Sequence, residues 1–172
     1  MHDFFSLWLM PKGNAFNVLQ GEIDRIAEGA KKPPFKPHVT LLGGFQCLDG
    51  DVLAKAQELG QCLKPYSIRL SHRAISGSFF KAIFWACDFS DRTIDAYLLA
   101  CEKFGVEADL AYEPHLSLLY GTFSLKHKER LLAEHCSVMN PIEFGVSSMH
   151  LFRTPGNDPC STEKIGEIPF SG

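Results

Sequence analysis

The stretch "PHVTLLGG" at Pro37–Gly44 returns as "PHLSLLYG" at Pro114–Gly121. Pro, His, both Leu and the last Gly are identical in the two copies, and Thr40 exchanges for Ser117. Side chains two apart on a strand share a face. Each copy therefore sets an imidazole beside a hydroxyl: His38 with Thr40, and His115 with Ser117. The bare His-x-Ser/Thr triplet is common enough that roughly 0.7 chance matches are expected in a chain of this composition. A third copy, His135-Cys136-Ser137, falls at the end of an expected helix and lacks the flanking frame. The eight-residue frame, repeated in register, carries the signal.

Outward from the frames, the two halves of the chain run in parallel. His38 and His115 are 77 residues apart, as are Trp8 and Trp85, the only two tryptophans, and Gly29 lies within a residue of the same offset from Gly105. Apolar and alternating runs predict strands at Phe4–Met10, His38–Phe45, Tyr66–Ser76, Phe79–Phe89, His115–Gly121, Ile142–Arg153 and Lys164–Phe170. Helices are predicted from Asn14 to Gly29, from Asp49 or Asp51 to about Leu63, from Asp91 to Gly105 and from Ser124 to about Cys136. The order is β-α-β-α-β followed by β-α-β-α-β-β. This predicts one α+β domain over residues 1–172, an internal repeat of roughly 1–77 and 78–172, and a pseudo-twofold axis that brings the octapeptides face to face. The polar stretch "TPGNDPCSTE" is read as a loop.

Composition narrows the function class. The 172 residues suffice for one compact domain, and the net charge is −3. A small ligand, or only the end of an RNA, suits that balance better than a long duplex. No apolar run approaches the ~20 residues of a membrane span, and the N-terminus lacks a basic signal-peptide region, so a cytoplasmic location is expected. The six cysteines (Cys47, Cys62, Cys87, Cys101, Cys136 and Cys160) form no C-x-x-C pair and are expected as free thiols. A twofold inside the chain needs no second copy, so a monomer is expected.

Two imidazoles and two neutral hydroxyls around one space suit phosphoester cleavage. One neutral imidazole takes a proton from water, and one protonated imidazole gives a proton to the departing oxygen. Hydroxyls donate to non-bridging phosphate oxygens as charge builds in the transition state. A cyclic phosphodiester is the apt substrate, because its leaving hydroxyl stays tethered and ring strain lowers the barrier. Two plainer readings compete. Both histidines can be satisfied core groups, or they can ligate a metal, although no H-x-x-x-H or H-E-x-x-H spacing occurs.

The paired P-H-x-[ST]-L frames, with "SLWLMP", "FKPHVTLL", "SGSFF" and "PHLSLLYG" in that order, resemble the two-histidine (2H) phosphoesterase superfamily. Within it they resemble the cyclic phosphodiesterases typified by the plant enzyme. The resemblance implies a bilobal α+β fold with antiparallel sheets lining a central cleft and helices outside. It implies hydrolysis of ADP-ribose 1″,2″-cyclic phosphate to ADP-ribose 1″-phosphate, and of nucleoside 2′,3′-cyclic phosphates to 2′-phosphates, without metal or cofactor. Such chemistry follows tRNA splicing in some organisms. The resemblance makes His38 and His115 the acid–base pair, with Thr40, Ser117 and Tyr120 on the phosphate. His115 is read as the base and His38 as the acid. Trp8, Ser78, Phe79 and Phe80 are candidates for gripping the nucleobase, with Trp85 read as core. Lys36, Lys81 and Arg153 are candidate positive charges. An RNA-end-processing phosphodiesterase, a non-catalytic nucleotide-binding module and a mere packing repeat are the other readings.

Overall fold

The structure, a computed structural model, describes residues 3–47, 51–88, 91–136, 141–154 and 161–172. Cys160, Asp49, Ser137 and most of the polar loop lie outside them. Among the described residues no helix is long and apolar enough to cross a membrane.

The described residues form eight strands: β1 (Phe4–Leu9), β2 (Val39–Phe45), β3 (Tyr66–Ile75), β4 (Ile83–Cys87), β5 (His115–Leu119), β6 (Ile142–Val146), β7 (Ser148–Thr154) and β8 (Glu163–Pro169). Their α-helices are α1 (Gly13–Ala30), α2 (Val52–Cys62), α3 (Asp91–Phe104) and α4 (Leu125–His135). The strands make one antiparallel sheet in the order β6-β3-β4-β5-β2-β1-β7-β8. The strand expected over Ile142–Arg153 is two strands. It breaks at Ser147, whose carbonyl instead accepts from the amide of Phe170, and β6 pairs with β3 while β7 pairs with β1 and β8.

Sheet halves and chain halves do not coincide. β3 pairs with β4 and β6 rather than with β1. Helix α1 packs on β5, β6 and α4, whereas α2 and α3 pack on β8, β7 and β2. Each half of the chain thus sends a helix across to the other half of the sheet. One apolar core, from Leu7, Leu9 and Val39 through Ile83, Trp85 and Leu116, runs beneath all of it.

Local chemistry explains most element ends. Asp51 caps α2 by accepting from the Leu53 amide at 2.9 Å, and Ser124 caps α4 by accepting from the His127 amide at 3.3 Å. Gly105, at φ +65°, ends α3. Two expectations fail. Asn14 and Gly29 lie inside α1, which starts after Lys12 and ends at Lys31 in the left-handed region. Gly29 instead serves helix packing. A Cβ there would collide with the His135 ring, so the glycine lets α1 and α4 approach. The strand expected from Phe79 starts only at Ile83. Residues Phe79–Lys81 form a 3-10 turn, closed by the Ser76 hydroxyl donating to the Lys81 carbonyl at 2.6 Å.

The two tryptophans are not structural mates. In β1–β2, Leu7 pairs with Leu42 and Trp8 with Thr40; in β4–β5, Ile83 pairs with Leu119 and Phe84 with Ser117. The same bulge recurs, but the offset is 77 for β2 and β5 and 76 for β1 and β4. A shift of one residue reverses the face of a strand. Phe84, not Trp85, is therefore the counterpart of Trp8. Trp85 joins the main core, where its indole N–H donates to the fully buried Glu22 at 3.0 Å and the Arg73 guanidinium covers its ring at 4.3 Å. Arg73 completes the ion pair with Glu22.

Candidate active site

The middle of the sheet is its narrowest joint: β2 and β5 share a single register pair, Val39 with Leu116. Continuing that antiparallel register one residue each way sets His38 across from Ser117 and Thr40 across from His115. The duplicated octapeptides meet there.

Both imidazoles are held alike. His38 Nδ1 lies 2.7 Å from the Lys36 carbonyl, and His115 Nδ1 lies 2.8 Å from the Glu113 carbonyl. A carbonyl can only accept, so each Nδ1 carries the proton and each neutral ring leaves its Nε2 lone pair free for chemistry. The proline in each frame fixes the backbone between carbonyl and histidine. Their environments differ. His38 is 5% exposed and His115 is more open. Burial pulls His38 down to about 4, opposed by the bond to Lys36 and reinforced by His115. Burial also lowers His115, with the Glu113 carbonyl opposing and the Lys81 charge adding.

The sequence-expected residues gather around this pair with different partners. The Tyr120 hydroxyl lies 3.5 Å from His38 Nε2. The Ser117 hydroxyl donates to the Phe80 carbonyl at 2.7 Å, so it must turn to reach a phosphate. Thr40 has its carbonyl anchored by the Tyr112 hydroxyl at 2.9 Å. Trp8, 9% exposed, lies on His38 with ring centroids 3.7 Å apart and also packs on Phe152. Phe79 and Phe80 are 49% and 51% exposed, and the Phe80 ring meets Tyr120 edge-on. Ser78 lies beside them, its amide donating to Ser76. Lys81 pairs with Glu113 at 2.9 Å, close to His115. Arg153 is engaged elsewhere, with Asp3 and Glu163, and Lys36 offers the site its carbonyl.

Two site residues escaped the sequence reading. Phe35 stacks on Tyr120 at 4.0 Å and meets His38 edge-on. Phe84 meets His115 edge-on at 5.6 Å. Phe35 sits in a run of Lys and Pro without strand or helix periodicity, and Phe84 is hidden by the one-residue change of offset. Among the described residues the cysteines are thiols rather than disulfides.

A family model described as "Cyclic phosphodiesterase-like protein" matches residues 4–146. The chain belongs to the cyclic phosphodiesterase-like family. It is 20% identical to the cyclic phosphodiesterase of Arabidopsis thaliana over 159 residues, 91% of this chain and 88% of that one. Solved structures share the fold. TT0787 of Thermus thermophilus aligns with a TM-score of 0.63 at 14% identity, covering 98% of both chains. E. coli LigT complexed with 3′-AMP aligns with a TM-score of 0.63 at 10% identity over the whole of both chains. The chain is thus a phosphodiesterase of the cyclic phosphodiesterase-like family, and it shares with these solved structures a mixed helix–strand fold, built here on an eight-stranded antiparallel sheet.

Proposed function

We propose that this protein hydrolyses ADP-ribose 1″,2″-cyclic phosphate and nucleoside 2′,3′-cyclic phosphates, to ADP-ribose 1″-phosphate and nucleoside 2′-phosphates, by metal-independent catalysis with His38 and His115. The observation that carries the reading is the matched pair of bonds from Nδ1 of each histidine to the carbonyl two residues earlier. It leaves two Nε2 atoms as the proton carriers of one site. Solved LigT structures complexed with 3′-AMP, ATP and NADP+ support a nucleotide ligand.

The more buried imidazole is the one kept neutral, so His38 is the base and His115 the acid. Burial thus favours the opposite division of labour from the one expected from sequence. His38 Nε2 takes a proton from water as the water oxygen bonds to phosphorus. The bond from phosphorus to the 3′ oxygen breaks, and His115 Nε2 supplies that oxygen's proton. Thr40, Ser117 and Tyr120 donate to the phosphoryl oxygens, where charge grows. Trp8 holds the His38 ring, while Phe79, Phe80 and Ser78 line the approach of the nucleobase. The corresponding pairs β1–β2 and β4–β5 at the middle of the sheet, with their matched bulges, support a bilobal, pseudo-twofold arrangement of one domain over 1–172, sufficient as a monomer.

The test is hydrolysis of 2′,3′-cyclic AMP in excess EDTA, with product identified by chromatography. Turnover to the 2′-phosphate, lost in His38→Ala and in His115→Ala, is the expected result. Turnover indifferent to either histidine overturns the reading.

A further inference from the structure

Each copy of the repeated octapeptide has an aromatic residue just upstream: Phe35 stands three residues before His38, and Tyr112 three residues before His115. Both cross the joint between β2 and β5. Phe35 leaves its own half of the chain to stack on Tyr120, with ring centroids 4.0 Å and planes 7° apart. Tyr112 reaches the other way, and its hydroxyl donates to the Thr40 carbonyl at 2.9 Å. The crossings match in place and differ in chemistry. Phe35 meets a ring of the site, whereas Tyr112 grips the backbone of the strand that follows His38.

The joint is where such a grip matters. β2 and β5 share one register pair, Val39 with Leu116. Pro37 and Pro114, next to the two histidines, have no N–H with which to lengthen the pairing. Tyr112 is itself firmly set. Its ring lies on Tyr97 of α3, with centroids 3.8 Å and planes 10° apart, and its amide donates to the Asp109 carbonyl at 3.1 Å. The same turn is fixed by the Asp109 amide, which donates to the Tyr97 hydroxyl, and by the Ala111 amide, which donates to the Asp109 carboxylate, both at 2.8 Å. Burial pushes the Tyr112 hydroxyl above the ordinary tyrosine range, so it stays a donor throughout the range in which histidines titrate. The next residue, Glu113, supplies the carbonyl that orients His115. One side chain thus ties the segment that orients His115 to the backbone of Thr40, which the register sets across from His115.

We infer that Tyr112 is a positioning residue for the reaction: its hydroxyl, through the Thr40 carbonyl, sets the spacing of the two half-sites so that both histidines address one phosphorus atom. Hydrolysis needs a base for the water and an acid for the departing oxygen, and these stand on strands that share a single register pair. A misplacement of about 1 Å between reacting groups can cost on the order of 100-fold in rate. The inference rests on the two-histidine cyclic phosphodiesterase reading and adds to it the group that aligns the two halves.

The experiment measures kcat and KM of Tyr112→Phe on 2′,3′-cyclic AMP, with urea unfolding of the same samples to fix the folded fraction. The substitution keeps the ring and its stack on Tyr97 and removes only the hydroxyl. The kcat per folded molecule is expected to fall by about tenfold or more, with KM changed by less than about twofold, because alignment is needed in the transition state rather than for binding. A lowered unfolding midpoint with kcat per folded molecule unchanged makes the hydroxyl merely structural and overturns the inference. A raised KM at unchanged kcat makes it a binding contact and overturns the inference as well. In both cases the wild-type activity stands, and with it the cyclic phosphodiesterase reading. Absence of wild-type hydrolysis, or wild-type turnover indifferent to His38→Ala and His115→Ala, instead overturns that reading and the positioning role with it.

Discussion

The indole of Trp8 lies flat on the imidazole of His38, with centroids 3.7 Å and planes 9° apart. The stack covers one face of the ring, while the Lys36 carbonyl holds Nδ1 and Tyr120 approaches Nε2. It fixes the imidazole and keeps water from it at the same time.

Trp8→Leu therefore loosens and hydrates His38 together. The acidic limb of kcat/KM is expected to move up from about 4 toward 6.5 as the burial that lowers His38 is relieved. kcat should fall by about tenfold or more through lost orientation. A pH profile of the variant checks this; an acidic limb that stays where the wild type has it contradicts a role for the stack.

In the wild type both histidines titrate below their ordinary 6.5, so the pH optimum of kcat/KM belongs on the acid side of neutrality. Activity rises as His38 loses its proton near 4 and falls as His115 loses its own below 6.5. An optimum above about pH 7 is incompatible with this arrangement.

A bell-shaped profile looks the same whichever histidine is the base, so leaving-group chemistry must separate them. A p-nitrophenyl phosphodiester departs without a proton donor. On it, His115→Ala is expected to keep at least about tenfold more of the wild-type rate than it keeps on 2′,3′-cyclic AMP, and His38→Ala is not. Rescue of His38→Ala alone reverses the roles.

His38 also links pH to stability. Its folded pKa of about 4 lies below the unfolded 6.5, so the unfolded chain binds the extra proton between these values. The contribution is full above 6.5, declines as pH falls, and has cost on the order of 3 kcal/mol by about pH 4. Urea titrations of His38→Gln are expected to lack this part of the slope; parallel wild-type and variant curves would falsify it.

Away from the site, Glu22 holds both Arg73 and the Trp85 indole in the core. Glu22→Ala strands the guanidinium and should cost about 3–5 kcal/mol. A loss of less than about 1 kcal/mol in chemical denaturation is the contrary result.

The repeated octapeptide disclosed the two histidines, their hydroxyl neighbours and the strands that bear them. Side-chain alternation, capping and turn chemistry are local, so β1, α2, α3 and α4 were also legible with shifts of a few residues. Pairing is not local. That β3 joins β4, that the run 142–153 divides between two strand partners, and that Phe84 rather than Trp85 answers Trp8 depend on which strands meet and where they bulge. The order of residues thus settles which chemical groups are present and how they are spaced along each strand. Packing settles their environments: how deeply each histidine is buried, and Phe35 behind Tyr120. Solvation and empty space are properties of packed neighbours distant in the chain, and no local periodicity encodes them.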